Sequence, residues 1–147
     1  NAQHMPATAT RPLVVAVPDL LTYHPRTGIG RVFSSLSACW GNRVRLVGAQ
    51  RVALNVPVLR NFPLGIHATG QADLVLVPQL TGAQALRSTR GIPSVAVVHD
   101  IGIVDYPGDH RGMDWLTRHA VRRSFWALRH ASHIIAVSQF TRDRLLH

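Results

Sequence analysis

The most constraining feature of the sequence is an apolar run, Pro93 to Gly102, that ends abruptly in polar groups. A continuous β-branched run of this kind predicts a strand buried on both faces of a sheet. Open parallel sheets bind their ligands at the carboxyl ends of such strands, where His99 and Asp100 follow here. We therefore expect His99 to lie at the centre of the functional site.

Similar apolar runs recur along the chain and alternate with helical patterns. Strands are predicted at 13–17, 44–47, 52–59, 72–78, 93–98 and 133–137, although Pro57 favours an edge or irregular segment for the third. Helices are predicted after a glycine loop at 28–30 up to residue 40, then at 82–88, at 112–130 and from 139, with further loops at 61–65 and 105–109. This alternation predicts an α/β fold with a doubly wound, mainly parallel sheet in three α/β/α layers. Residues 1–10 are small, polar and aperiodic, so we interpret them as a disordered tail or cloning remnant and 11–147 as one domain.

Two glycines, Gly28 and Gly30, follow the first predicted strand and precede a helical pattern. A glycine loop that enters a helix can bring backbone N–H groups close to a phosphate or a sugar. Position 33 is Phe33, so the spacing does not match Gly-x-Gly-x-x-Gly, and no P-loop motif is present. The pair by itself is typical of a tight turn, and only its position after the first strand favours a ligand loop.

The predicted helix 112–130 has two chemically different sides. The side expected to face the sheet carries Met113, Leu116, Ala120, Ala127, Leu128 and Ala131. The opposite side carries a row of Arg118, Arg122 and Arg129, beside His119, Arg123, Trp126 and His130. A solvated helix face is the commoner interpretation of such a pattern, and contact with an anionic membrane is the alternative.

The charge balance is unusual in kind as well as in size. All 16 basic residues are arginine and all seven acidic residues are aspartate, which gives a formal net charge of +9. A general-base glutamate and a catalytic lysine are therefore excluded. This charge is compatible with an anionic partner, whether a phosphate-bearing small molecule, a lipid surface or nucleic acid, and equally with a solvated arginine-rich surface.

Several classes of site and location are disfavoured by missing motifs. The sequence has no Gly-x-Ser-x-Gly elbow, no His-Glu-x-x-His motif and no Cys/His cluster, so we expect no metal and no cofactor. Its single cysteine, Cys39, excludes an internal disulfide. No signal peptide and no apolar run of membrane-spanning length is evident, so we expect a cytoplasmic protein.

Ser138 follows the last predicted strand and precedes the helix that begins at Gln139. Serine is a favoured N-cap, so a structural role is the commoner interpretation. At the end of a parallel strand it also places a hydroxyl on the ligand side of the sheet.

Three separated segments resemble a known family. They are Thr27-Gly28-Ile29-Gly30-Arg31-Val32, Val97-Val98-His99-Asp100-Ile101-Gly102, and the long segment from Ala131 to Leu145 that includes Ala136-Val137-Ser138-Gln139-Phe140-Thr141-Arg142. In order and spacing they are similar to the N-terminal half of a retaining glycosyltransferase of the GT-B fold, family 4 type. The resemblance extends from about residue 13 to residue 147, and the last segment is its most specific part.

The resemblance implies a two-domain enzyme with a cleft between two Rossmann-like halves. The N-terminal half would bind an acceptor saccharide or lipid-linked acceptor, and a C-terminal half, absent here, would bind the nucleotide-sugar donor. Carried over to this chain, it implies a catalytic role for His99 at the transferred sugar. It also implies a substrate-binding surface formed by Gly28, Ile29, Gly30, Arg31, Asp100, Ser138 and Thr141, with Asp100 ordering its loop.

The chain departs from the family pattern because it has no glutamate or lysine with which to form the donor-gripping motif. We therefore expect this chain to be inactive by itself. The resemblance further implies that the parent enzyme transfers sugar without a bound metal and with retention of the anomeric configuration. The alternative is a stand-alone basic module for anionic lipid or nucleic acid, although no aromatic stacking platform or nucleic-acid motif favours the latter. A receiver-like domain is a weaker interpretation, because the acidic cluster expected at its first strand is missing.

Overall fold

The predicted alternation of strands and helices forms a six-stranded sheet in the order β3-β2-β1-β4-β5-β6. The structure is a computed structural model that describes residues 11–18, 26–52, 65–67, 72–89, 91–102 and 114–146. Five strands are parallel, and β3 pairs antiparallel with β2 at one edge. The strands are β1 (Leu13–Pro18), β2 (Val44–Val52), β3 (Gly65–His67), β4 (Leu74–Val77), β5 (Ser94–Val98) and β6 (His133–Ala136). The predicted doubly wound, mainly parallel sheet is confirmed, and its strand order is that of a Rossmann-like fold.

The described residues also form α-helices and 3₁₀ segments between and after the strands. The α-helices are α1 (Gly28–Trp40), α2 (Trp115–Ala127) and α3 (Gln139–Leu145), and the 3₁₀ segments are Gly41–Arg43, Leu80–Ser88 and Leu128–His130. Helix α1 ends where predicted, because Gly41 adopts a positive φ of 53° and donates its N–H to the carbonyl of Ser37. Cys39, the single cysteine of the chain, is exposed near this end of α1.

The sheet is covered on both faces, which makes three layers. Alternate side chains of β1 point to opposite sides, so Val15 and Val17 pack with Phe33 of α1. Ala16 belongs to the other core cluster, which includes Leu86 of the 3₁₀ helix Leu80–Ser88 and the carboxyl end of α2. Both faces of β1 are therefore buried, as its continuous apolar run predicts.

One local prediction was confirmed and others were wrong. The segment 82–88 was expected to be a helix and is part of a 3₁₀ helix, in which every residue from Gly82 to Leu86 is buried. Gly82 packs closely on the sheet, since an added Cβ would lie 3.1 Å from Val77. The predicted loop 61–65 ends in β3, a strand too short to show an alternating pattern.

The end of β2 was also misplaced. A strand ending at residue 47 was predicted, whereas β2 continues to residue 52, where a separate strand was expected to begin. The rest of that expected strand at 53–59, the loop 105–109, residues 1–10 and Met113 lie outside the described residues.

One ion pair lies at the amino ends of the strands. The carboxylate of Asp73 accepts the backbone N–H of Val14 at 2.9 Å and two hydrogen bonds from the guanidinium of Arg11 at 2.6 and 3.1 Å. The Val14 N–H, and after it the Arg11 guanidinium, lower the pKa of Asp73 below its ordinary value of 3.8. This carboxylate joins the start of β4 to β1.

We expect Asp73→Ala to lower the melting temperature at neutral pH by more than Arg11→Gln does. The first substitution removes both the acceptor for Val14 and the ion pair, whereas the second removes only the ion pair. Because the pKa of Asp73 is lowered in the folded state, its stabilising effect is present above the ordinary value of 3.8 and is lost as the pH falls through the folded value. Thermal melts between pH 3 and pH 7 should therefore show the gap between the wild type and Asp73→Ala closing in acid, and a constant gap would contradict this assignment.

Candidate functional site

A cleft of about 870 Å³ lies at the carboxyl ends of β1, β4 and β5. The chain changes direction across the sheet between β1 and β4, since β2 and β3 lie to one side and β5 and β6 to the other. This change of direction is a topological switch point, where the loops after neighbouring strands diverge and leave a crevice. The described residues that line the cleft are Gly28, Ile29, Val32, Gln79, Leu80, Thr81, His99, Asp100, Gly102, Val121 and Ser124.

The first wall of the cleft is the amino end of α1. Thr27 is the N-cap, and its hydroxyl accepts the N–H of Gly30 at 3.0 Å. The N–H groups of Gly28 and Ile29 have no partner among the described residues, so they remain available to a ligand at the positive end of the helix dipole. The glycines were predicted to form a loop before the helix. This was wrong, because Thr27, the residue before Gly28, caps the helix, so that both glycines lie in its first turn.

His99 lies on the second wall, directly after β5, and is half-buried. Its Nε2 atom is 3.0 Å from the carbonyl oxygen of Pro78. A carbonyl oxygen only accepts, so Nε2 carries the proton of this hydrogen bond and Nδ1 is the ring nitrogen left for a ligand. The hydrogen bond fixes the ring between the ends of β4 and β5.

Asp100 is exposed beside His99 and also lines the cleft. Its Oδ1 atom accepts the backbone N–H of Gly102 at 3.3 Å, which is a local turn of the chain. This contact agrees with the expectation that Asp100 orders the loop.

Ser138 and Thr141 support the site from behind. The hydroxyl of Ser138 accepts the N–H of Thr141 at 3.1 Å, which confirms its predicted role as N-cap of α3. Thr141 is buried, and its hydroxyl lies 3.5 Å from the carbonyl oxygen of His99. These two residues thus tie α3 to the end of β5 and are not among the described lining residues of the cleft.

Gly30 and Arg31, the other two predicted substrate contacts, are not among the described lining residues of the cleft. Gly30 is buried in the first turn of α1, where its N–H is already taken by Thr27. Arg31 is exposed on the same turn and is likewise not among the described lining residues. The structure therefore brings Gly28, Ile29, His99 and Asp100 together in one cleft, and places Gly30 and Arg31 beside it.

The cleft has a third wall, formed by residues that the sequence analysis did not identify. Gln79, Leu80 and Thr81 follow β4, and their position directly after a predicted buried strand was a usable signal. Val121 and Ser124 of α2 gave no such signal, because side chains on the buried side of a helix look like ordinary core residues.

A buried polar network holds this wall in place. The Gln84 side-chain amide donates to the carbonyl of Ala120 at 3.2 Å and to the hydroxyl of Ser124 at 3.3 Å. The Ser124 hydroxyl donates in turn to the carbonyl of Thr81 at 3.4 Å. Gln84 and Ser124 are both buried, so the contacts between α2 and the 3₁₀ helix Leu80–Ser88 are specific.

Comparison of the sequence with models of known protein families identifies the family of this chain. The model for Glycosyltransferase Family 4 matches residues 18–147, which is most of the chain and includes every described lining residue of the cleft.

The chain belongs to glycosyltransferase family 4.

Membership of glycosyltransferase family 4 agrees with a Rossmann-like domain whose cleft lies at the switch point of its sheet. Neither a search of curated proteins nor a search of solved structures gave a match. Within the described part of the chain, no group of three or more metal-ligating side chains comes together, and no helix is long and apolar enough to cross a bilayer.

We expect Thr27→Ala to lower the free energy of unfolding by about 1 kcal/mol, because the N–H of Gly30 loses its capping acceptor. Thr27→Ser keeps the hydroxyl and is the matched control. Urea denaturation of both variants measures the difference. Equal stabilities for the two variants would show that the hydroxyl does not cap α1.

Proposed function

We propose that the chain is the acceptor-binding half of a retaining, two-domain GT-B glycosyltransferase of the hexosyltransferase type. The enzyme would transfer a sugar from a nucleotide-diphosphate sugar to an acceptor saccharide or lipid-linked acceptor on the inner side of the membrane. The observation that carries the proposal is the switch-point cleft, in which the amino end of α1 faces His99 in a family 4 domain. Each wall of this cleft has its own part in the proposed reaction.

The amino end of α1 supplies the binding site for negative charge. The Gly28 and Ile29 N–H groups are available there, and an added Cβ on Gly28 would meet no atom within 4 Å, so a ligand has open access to the backbone. A diphosphate leaving group gains negative charge as its bond to the sugar breaks. Backbone donors that are already oriented stabilise this charge without reorganisation.

His99 is proposed to contact the transferred sugar. Its Nε2 atom is held by Pro78, so Nδ1 is left to accept a hydrogen bond from a sugar hydroxyl or, when protonated, to donate one. A ring fixed between two strand ends positions a sugar closely, and such positioning is a main source of rate in group transfer. Asp100 orders the loop that follows, through its bond to Gly102.

The acceptor is proposed to carry an apolar portion. Four of the described lining residues have apolar side chains on three different elements, namely Ile29, Val32, Leu80 and Val121. Val32 is 46% exposed. Apolar surface open to water in a cleft gains free energy when an apolar ligand covers it, which favours a lipid-linked acceptor over a bare saccharide.

The donor is proposed to bind mainly to a second domain. A donor-gripping pair of glutamates is excluded from this chain, because it contains no glutamate and no lysine. We therefore propose that the chain by itself does not turn over. Family membership and the cleft favour this function over a stand-alone basic module, and the binding experiment below separates the two.

We expect octyl glycosides to bind the cleft more tightly than the parent sugars. Titration of the chain, followed by amide chemical shifts, should perturb Gly28, Ile29 and Gly102. Gly28→Leu should weaken this binding at least tenfold by filling the rim, whereas Ser34→Leu, exposed on α1 outside the described lining, should not. Shifts that disappear with salt and map to the arginines of α2 would instead support the basic module.

We expect His99→Ala, in the full-length gene product, to lower turnover at saturating donor by at least about 100-fold, the cost of removing one oriented contact to the reacting group. The assay is release of nucleotide diphosphate together with formation of glycosylated acceptor. Arg43→Gln, exposed and not among the described lining residues of the cleft, is the control and should retain activity. Near-normal turnover of His99→Ala would disprove the role assigned to this residue.

A further inference from the structure

The outward side of α2 and of the 3₁₀ turn that continues it has an unusual composition. At about 100° per residue, eight residues fall within an arc of about 140° around the helix axis. We call this set the basic face, and it comprises Trp115, Arg118, His119, Arg122, Arg123, Trp126, Arg129 and His130. All eight are exposed, whereas the other side of the helix buries Ala120, Val121, Ser124 and Ala127 in the domain.

The basic face is positively charged. Asp73 pairs with Arg11 and Asp143 with Arg142, and none of these four residues belongs to α2. Asp114 caps the helix by accepting the backbone N–H of Thr117 at 2.9 Å and its hydroxyl at 2.7 Å. Within the described ranges, Arg122 and Arg123 have no acidic partner.

A neighbouring element widens this surface. Arg87, at the end of the 3₁₀ helix Leu80–Ser88, joins His119, Arg123, Trp126 and Arg129 around a depression of about 320 Å³. The surface therefore spans two packed elements.

Two tryptophans lie among the arginines. Trp115 is 75% exposed and Trp126 is 63% exposed, although exposure of so large an apolar ring to water is unfavourable. Tryptophan is the residue enriched where an apolar phase meets a polar one, because its ring inserts between headgroups while its N–H remains hydrated. Arginines around such a ring provide attraction to anionic headgroups.

We propose that the basic face docks the protein on an anionic lipid membrane. A bilayer offers an apolar phase directly beneath anionic headgroups, which matches tryptophan rings that lie among arginines. Duplex DNA is usually read by polar side chains at base edges in a groove, which gives large exposed apolar rings no role. The two exposed tryptophans thus favour the membrane.

This inference goes beyond sugar transfer and does not depend on it. Helix α2 is nevertheless shared by the two surfaces, since Val121 and Ser124 line the cleft while the basic face points away from the domain. Docking would place the cleft within about one helix diameter, roughly 10 Å, of the lipid surface.

The test is co-sedimentation of the protein with vesicles of phosphatidylcholine alone and of an equimolar mixture of phosphatidylcholine and phosphatidylglycerol. We expect binding only to the anionic vesicles, weakened by salt and accompanied by a blue shift of tryptophan emission. Arg122→Gln/Arg123→Gln should weaken binding about 30-fold, since each basic group near the surface contributes about 1 kcal/mol. Trp126→Phe should reduce the blue shift while leaving the fold intact, as circular dichroism would verify.

The matched control is Arg43→Gln/Arg45→Gln, which removes the same charge from exposed positions outside α2. It should bind anionic vesicles nearly as well as the wild type. Equal loss in both double variants would show that net charge, and not the basic face, is responsible. Equal binding to neutral vesicles, or tighter binding to a duplex DNA oligonucleotide than to the anionic vesicles at the same salt concentration, would overturn the proposal.

Discussion

The register between β1 and β4 is short, with Val15 opposite Leu74 and Ala16 opposite Val75, but it lies at the centre of the sheet. Both strands bury side chains on their two faces, and each fully buried valine contributes about 1.5–3 kcal/mol. The sheet grows outward in both directions from this pair, and the helix that follows β1 packs in a different core cluster from the 3₁₀ helix that follows β4. The position of the cleft is therefore a consequence of which strands pair at the centre.

The sequence predicted those parts of the fold in which burial on both faces leaves a continuous apolar run. β1 and β4 are of this kind, whereas β5 alternates between buried and partly buried residues. The N-cap at Ser138 could be predicted because its chemistry is local. β3 could not be predicted, because three residues on an edge show no periodicity. The predicted helix 82–88 lies within the 3₁₀ helix Leu80–Ser88, whose 3₁₀ geometry could not be predicted, since propensity does not reveal how closely Gly82 approaches the sheet.

The candidate site likewise contains residues that a local sequence pattern identifies and residues that only packing identifies. Gly28 and His99 could be selected because each follows a recognisable strand, and polar or glycine residues are conspicuous there. Ser124 could not, because it is fully buried in the core side of α2 and only the tertiary network with Gln84 and Thr81 brings it to the cleft. The sequence placed Ser138 and Thr141 near the correct end of the sheet. In the structure they are not among the described lining residues of the cleft, and Thr141 instead contacts the carbonyl that follows β5. Motif spacing along the chain thus located the strand ends, whereas the direction of each side chain came from packing.

Cys39 is the only thiol of the chain, and it is exposed on the same helix whose first turn forms a wall of the cleft. It lies eleven positions after Gly28, which corresponds to about 17 Å along a continuous helix. A maleimide dye attached there would be rigidly connected to the rim of the cleft without occupying it. The molecule thus carries a built-in attachment point for an optical reporter, and no engineered cysteine is needed to follow the arrival of a ligand at α1.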